Sequence, residues 1–119
     1  MSKYQTLEVW KTSMELVKET YLLTKKYPKE EMYAITSQTR RSAISVPANI
    51  AEGMGRQYKK DTIQFLHVSR GSLYELETQY YLALDQKYID VNNFNIAFEQ
   101  IQICKKLING FINYYKNKI

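Results

Sequence analysis

The feature of this sequence that most limits its fold is the scarcity of residues that interrupt a helix. Only four glycines and two prolines occur in 119 residues, and the predicted chain breaks fall near Pro28, at residues 53–55 and before Asp90. Between these breaks, apolar residues recur at the three- and four-residue spacing of an amphipathic helix. The sequence therefore predicts an all-α fold in one domain over residues 1–119, an antiparallel up-down-up-down four-helix bundle.

The predicted helices cover about residues 6–26, 31–52, 59–87 and 91–117, with Thr6 and Asp90 as N-caps. Apolar stripes on three of them are expected to face the core. They are Leu7, Trp10, Met14, Val17 and Tyr21 on the first helix, Leu66, Ser69, Leu73, Leu76, Tyr80 and Ala83 or Leu84 on the third, and Phe94, Ala97, Ile101, Cys104, Ile108, Phe111 and Tyr115 on the fourth. Small residues near Gly71 on the third helix predict a closely packed neighbour.

The second predicted helix has two apolar faces. Projection at 100° per residue separates two sets on nearly opposite sides: Ile35, Ala43, Val46 and Ile50 on one side, and Ile44, Ala48 and Ala51 on the other. A helix of this kind needs two neighbours, so we expect one face to pack in the core and the other to contact a second subunit. Pro47 should kink the helix, and Gly53 and Gly55 should end it.

Charge is distributed in zones along the chain. Residues 40–60 carry five Lys and Arg against one Glu, residues 61–104 carry two against six acids, and residues 105–119 carry four Lys and no acid. This zoning suits a polyanion on one surface, and it also suits basic faces packed on acidic faces between subunits. The candidate nucleic-acid-binding residues of the first basic zone are Arg40, Arg56, Tyr58, Lys59 and Lys60.

The sequence contains no recognisable catalytic or metal-binding pattern. The single histidine, His67, has no Glu three residues before it, so the paired ligands of a di-iron bundle are missing. Cys104 lies on a predicted core stripe, and Glu52 is expected to form an ion pair with Arg41 on the same helix. We therefore expect no enzymatic activity, no metal and no cofactor.

Two further features predict where the protein works. A single cysteine cannot form an intrachain disulfide. The first residues lack an apolar signal region, and no apolar run approaches membrane-spanning length. We expect a cytoplasmic protein with no membrane partner.

Four motifs in order give the chain a family resemblance: LEVW at residues 7–10, SQTRR at 37–41, NIAEG at 49–53 and RGSLYELETQ at 70–79. They resemble the four-helix-bundle proteins encoded in 23S rRNA intervening sequences, and they are similar to the accessory variability protein of diversity-generating retroelements. The match extends to Asp90, and the fourth helix matches by pattern only. Tyr58 departs from the family, since relatives often have a serine there that caps the third helix.

The resemblance implies a bundle that assembles into a ring, a pentamer, with a basic surface. In the retroelement relatives the ring binds nucleic acid and a reverse transcriptase. The residues expected to serve architecture or the subunit interface are Arg41, Ile44, Ala48, Asn49, Ala51, Glu52 and Arg70, with Arg41, Glu52 and Arg70 in one polar network. The leading interpretation is a non-enzymatic, homo-oligomeric protein that binds RNA or DNA; the alternative is a protein-interaction scaffold or an accessory subunit, for example of a reverse transcriptase.

Overall fold

Four long helices form the fold in a computed structural model that describes residues 3–118. They are α1 (Glu8–Thr24), α2 (Ser37–Met54), α3 (Lys59–Asp85) and α4 (Val91–Lys116). No strand occurs within the described residues, and the molecule measures 45 × 24 × 20 Å. Each helix packs against the next and α1 also packs against α4, so the predicted all-α four-helix bundle is confirmed.

The order of contacts along α2 and α3 shows that these helices are antiparallel. Thr62 contacts Gly53, whereas Ser69, farther along α3, contacts Val46, farther back on α2. None of the helices over residues 3–118 is both long enough and apolar enough to cross a bilayer.

Helix α1 begins two residues later than predicted and turns a different face to the core. Thr6 lies in a 3₁₀ turn, its hydroxyl donates to the Lys3 carbonyl, and it does not cap the helix. The buried residues of α1 are Val9, Ser13, Leu16, Thr20, Leu23 and Thr24, whereas Met14 and Tyr21 of the predicted stripe are 44% and 36% exposed. Leu7, Trp10 and Val17 of that stripe are partly buried against the core, so the predicted face lies beside the buried one, which also carries Ser13, Thr20 and Thr24.

These hydroxyls can be buried because their hydrogen bonds are made within the helix. Ser13 donates to the Trp10 carbonyl at 2.7 Å, and Thr20 donates to the Leu16 carbonyl at 2.9 Å. A buried hydroxyl with a partner avoids most of the desolvation cost. Thr20 also accepts a hydrogen bond from the buried Tyr80 hydroxyl of α3 at 2.9 Å, which ties α1 to α3 through the core.

Helix α2 begins later than residue 31, after two short irregular turns. Lys29–Glu31 forms a 3₁₀ turn and Met32–Thr36 a π-helical segment, in which Ala34 departs from helical angles with φ −122° and ψ −111°. The helix then continues through a buried Pro47 to Met54. The break in helical geometry therefore lies at Ala34, before the helix, while Pro47 stays inside one continuous helix.

Small residues allow α2 and α3 to approach closely, but not at the glycine that was predicted. Gly71 faces open space, since a Cβ there would have no neighbour within 4 Å. The close contact is at Gly53, where a Cβ would lie 3.0 Å from the Phe65 Cβ. Gly53 therefore lies inside α2 as a packing residue and does not end the helix. Ser69 and Ser72 complete the contact through hydrogen bonds to the Val46 carbonyl and the Ser45 hydroxyl.

The remaining helix predictions agree closely with the structure. The residues of the predicted α3 stripe are buried, with Ala83 and not Leu84 at its last core position, and so are the first five of the α4 stripe. Phe111 and Tyr115 are half-buried, and Ile112 takes the last core position of α4. Asp90 caps α4 by accepting a hydrogen bond from the Asn93 amide at 2.7 Å, as predicted. Tyr58 stands at the N-cap of α3 without a side-chain capping bond.

Two glycine substitutions should have opposite effects on stability. Gly53→Ala should destabilise the protein because its Cβ would press on Phe65 and on the Thr62 carbonyl, 3.3 Å away. Gly71→Ala should stabilise it by about 0.5–1 kcal/mol, since alanine is the better helix former and the site is open. Urea unfolding curves of both variants test this, and a Gly53→Ala protein as stable as Gly71→Ala would refute the packing role.

Candidate nucleic-acid interface

The start of α3 and the end of α4 meet at one end of the bundle. The Lys59 ammonium donates a hydrogen bond to the Lys118 carbonyl at 3.3 Å, which joins the two basic zones of the sequence. We define the basic end as the exposed residues Arg56, Lys59, Lys60, Lys116 and Lys118. Lys116 and Lys118 were not among the predicted site residues, although an antiparallel bundle necessarily places the end of α4 beside the start of α3.

Arg56 belongs to the basic end but already has an acidic partner. Its guanidinium contacts the Glu52 carboxylate at 2.7 Å and stacks over the Phe65 ring at 4.7 Å. The predicted pairing of Glu52 with Arg41 is wrong, because eleven residues separate them on the same helix, a rise of about 16 Å. An exposed ion pair of this kind contributes at most about 1 kcal/mol, and it reduces the charge that Arg56 offers to a ligand.

Arg40 lies away from the basic end and serves a different contact. Its Nε donates to the Thr24 hydroxyl at 2.9 Å, and its guanidinium lies 4.7 Å from the centre of the Tyr21 ring. It lies fourteen residues before Met54 at the end of α2, about 21 Å along the axis, and Arg56 lies beyond that end. The structure therefore does not bring Arg40 together with the other candidate residues. Arg40 instead holds α2 against α1.

The other predicted members of the basic end are open to solvent. Tyr58 is 64% exposed and directly precedes Lys59. Lys60 is exposed as well. The structure thus brings together Arg56, Tyr58, Lys59 and Lys60 of the predicted candidates. An aromatic ring beside several cations can stack on a base while the cations contact phosphates.

Asn49 has an architectural position between α2 and α3. Its carboxamide donates to both the carbonyl and the hydroxyl of Ser45 at 2.8 Å. Ser45 in turn accepts a hydrogen bond from the Ser72 hydroxyl at 2.8 Å. These bonds help to fix the register of the two helices.

The outer α2 face, which we define as Ile44, Ala48 and Ala51, points away from the core. Ile44 is 43% exposed, Ala48 is exposed and Ala51 is half-buried. Two shallow grooves lie along this face. One is lined by Tyr21, Met32, Tyr33, Ser37, Arg40, Arg41 and Ile44, and the other by Tyr4, Ala48, Ala51, Glu52, Gly55 and Arg56. The second apolar face of α2 is therefore uncovered in the single chain.

Arg70 bridges α3 and α4 beside the basic end. Its Nη1 donates to the Asn109 Oδ1 at 2.8 Å, and its Nη2 donates to the His67 Nδ1 at 2.9 Å. The pKa of His67 lies below its usual value, first because of partial burial and then because of the nearby charges of Arg70 and Lys116. The predicted network of Arg70 with Arg41 and Glu52 is wrong, since its partners are neutral groups on α3 and α4.

Groups with catalytic potential are few in the described part of the chain. The Cys104 thiol is buried among core residues, and burial raises its pKa to about 12, so it stays protonated at neutral pH. No cluster of three His, Cys, Asp or Glu side chains suited to a metal occurs between residues 3 and 118.

Comparison with known proteins identifies a family and a similar fold. A model of the 23S rRNA-intervening sequence protein family matches residues 5–110. The fold is similar to a crystal structure of a protein with unknown function from the S23 ribosomal protein family of Bacteroides thetaiotaomicron VPI-5482. The TM-score is 0.81 and the identity 24%, covering 87% of this chain and 97% of that chain. At this identity the likeness concerns the fold. The search of curated proteins found no match.

The histidine beside Arg70 gives a direct test of this geometry. The pKa of His67 should lie below the usual value of about 6.5, and it should rise in Arg70→Gln, because the variant loses both a nearby charge and a donor to the neutral ring. Imidazole NMR titration reports this without overlap, since the chain has one histidine. Lys106→Gln is the control, and an equal pKa rise there would contradict the assigned contact.

Proposed function

The chain belongs to the 23S rRNA-intervening sequence protein family, and from this premise we propose that it is a non-enzymatic, homo-oligomeric bundle that binds nucleic acid through its basic end. One observation carries the proposal: the contact of Lys59 with Lys118 unites two basic segments that lie far apart in the sequence. The two basic zones of the sequence thus form one surface, to which a phosphate backbone could bind.

The electrostatics of the basic end favour a polyanion over a single small anion. Lys59, Lys60, Lys116 and Lys118 are exposed on adjacent elements, and the only acid among residues 53–72 is Asp61. At physiological salt the screening length is about 8 Å, so neighbouring cations act together on phosphates that contact them. Each cation that neutralises a phosphate releases a counterion, which makes binding depend on salt.

The outer α2 face supports the oligomeric part of the proposal. Its alanines permit a close approach by another helix, and Tyr33, which is 97% exposed, and Ile44 add apolar area beside them. Exposed apolar area of this kind is typical of a subunit contact. When such a face docks on a different face of the next copy, the contact is heterologous, and it forms a ring where the rotation between copies closes. The family resemblance implies five copies in that ring.

Binding should be sensitive to salt, and the sensitivity should depend on the basic end. Five phosphate contacts give a slope of about −4 in log affinity against log salt, and the triple variant Lys59→Gln, Lys60→Gln, Lys116→Gln should reduce it to about −2. The matched control is Lys25→Gln, Lys26→Gln, Lys29→Gln, which removes three exposed charges from the opposite end of the bundle. Fluorescence anisotropy with mixed-sequence RNA and DNA oligonucleotides measures both slopes.

The two triple variants distinguish a defined basic end from an effect of net charge. An equal loss of slope in both triple variants would show that net charge alone is responsible, which contradicts a defined basic end. A parent protein that ignores RNA and DNA at every salt concentration would overturn the proposal. The partner of the basic end would then be an acidic protein surface, such as the reverse transcriptase that the retroelement resemblance implies.

The assembly can be tested through Ala48. Ala48→Glu places a charge on an exposed position, so the helix should remain folded while the subunit contact is lost. Light scattering should give the 14.1 kDa chain mass for the variant and a multiple of it for the parent, with unchanged circular dichroism. Val91→Glu, at an exposed apolar residue of α4, is the control. A parent-like mass for Ala48→Glu would exclude this face as the interface.

A further inference from the structure

Arg70 differs from Arg56 and Lys105 because its hydrogen-bond partners carry no charge, and it differs from Arg40 because two such partners hold it, one on α3 and one on α4. Arg56 contacts the Glu52 carboxylate at 2.7 Å. Lys105 contacts the Glu77 carboxylate at the same distance. Arg70 instead donates to an amide oxygen and an imidazole nitrogen, and no carboxylate lies within 4.0 Å of it in the described part of the chain. Its side chain is therefore held in place while its positive charge remains uncompensated.

From this arrangement we propose that Arg70, His67 and Lys116 form a preorganised site for a phosphate group of a nucleic-acid backbone. The proposal rests on the function proposed above and extends the basic end along the α3–α4 face. The group recognised there is a phosphate oxyanion.

The guanidinium of Arg70 retains the donors that such a site needs. A guanidinium has five N–H groups in a planar fork, and Arg70 uses two of them, one toward Asn109 and one toward His67. Three remain for a ligand. Phosphate is bound well by this fork because two parallel N–H donors can meet two oxygens.

The fork is fixed from both helices that border it. Asn109 on α4 holds Nη1, and His67, one turn earlier on α3, holds Nη2. An arginine that is already oriented loses less side-chain freedom when it binds a ligand than one that is free to move. Asn109 is therefore a positioning residue, which acts on the phosphate through Arg70.

His67 and Lys116 complete the site with donors and charge. Because the Nδ1 atom of His67 accepts from Arg70, its proton lies on Nε2, which is the donor left for a ligand. The charge of Lys116 on α4 contributes to the lowered pKa of His67, so a second cation adds positive potential at the ring. The facing stretch of α4 from residue 105 to 116 contains no acid, and α3 contains none between Asp61 and Glu75.

The only histidine of the chain makes the site directly observable. We would record the imidazole NMR signals of His67 in the full-length protein while adding inorganic phosphate, and then a single-stranded RNA oligonucleotide. Sodium chloride at matched ionic strength is the control for screening, and an oligonucleotide with an uncharged methylphosphonate backbone is the control for base contacts. The signals should shift with phosphate and with RNA, and should stay in place with both controls.

Three variants separate charge from geometry. Arg70→Lys keeps the charge but loses the fork, and Asn109→Ala keeps the charge but loses the support. Each should weaken phosphate binding about tenfold, the value of one hydrogen bond to a charged group. Lys25→Gln, at an exposed residue at the opposite end of the bundle, should leave the His67 response to phosphate unchanged.

Each outcome bears on a different statement. If His67 ignores both ligands while RNA still binds with its salt dependence, this site is refuted and the basic end stands. If phosphate shifts His67 but RNA does not, this site takes free phosphate only, and the anisotropy measurement decides separately whether the proposed function stands. If Arg70→Lys and Asn109→Ala bind phosphate as tightly as the parent, the preorganised fork is refuted.

Discussion

The contact between α2 and α3 determines where the other elements of the bundle can lie. The missing side chain of Gly53 admits Phe65, and the Thr62 hydroxyl donates to the Gly53 carbonyl at 2.7 Å. Ser69 and Ser72 continue the contact with their own hydrogen bonds. Sliding one helix by a turn would leave these buried hydroxyls unpaired, which is costly. The α2–α3 connection spans only residues 55–58, so the start of α3 lies beside the end of α2, at the end of the bundle where the cations gather.

The sequence predicted the fold well where apolar residues alone form the core. On α4 the apolar spacing identified five of the six buried positions, whereas on α3 it missed Thr62 and Ser72. On α1 it found only the partly buried edge of the core-facing side, because Ser13 and Thr20 are buried and bonded within their own helix. The pairing of Thr20 with Tyr80 joins residues sixty positions apart, and nothing in the local pattern of either helix reveals it. Periodicity finds helices, but it does not identify the hydroxyls that tertiary contacts bury.

The candidate site was predictable in part, for a similar reason. The residues between Arg56 and Lys60 are neighbours in sequence, so their grouping needed no tertiary information. The approach of Lys118 to Lys59 followed from the antiparallel topology, since that topology fixes which helix ends meet. The partners of Arg70 could not be predicted in this way, because the facing helix offers several carboxamides and only the exact rotation of α3 and α4 selects Asn109.

A π-helical segment at Met32–Thr36 directly precedes α2. The regular i to i−4 hydrogen-bond ladder is interrupted there, and the segment carries Tyr33 almost wholly in solvent. Short segments with few buried contacts open at low free energy, whereas the core helices open only with the whole protein. We therefore expect the backbone beside the outer α2 face to adjust to a neighbour more readily than the core helices.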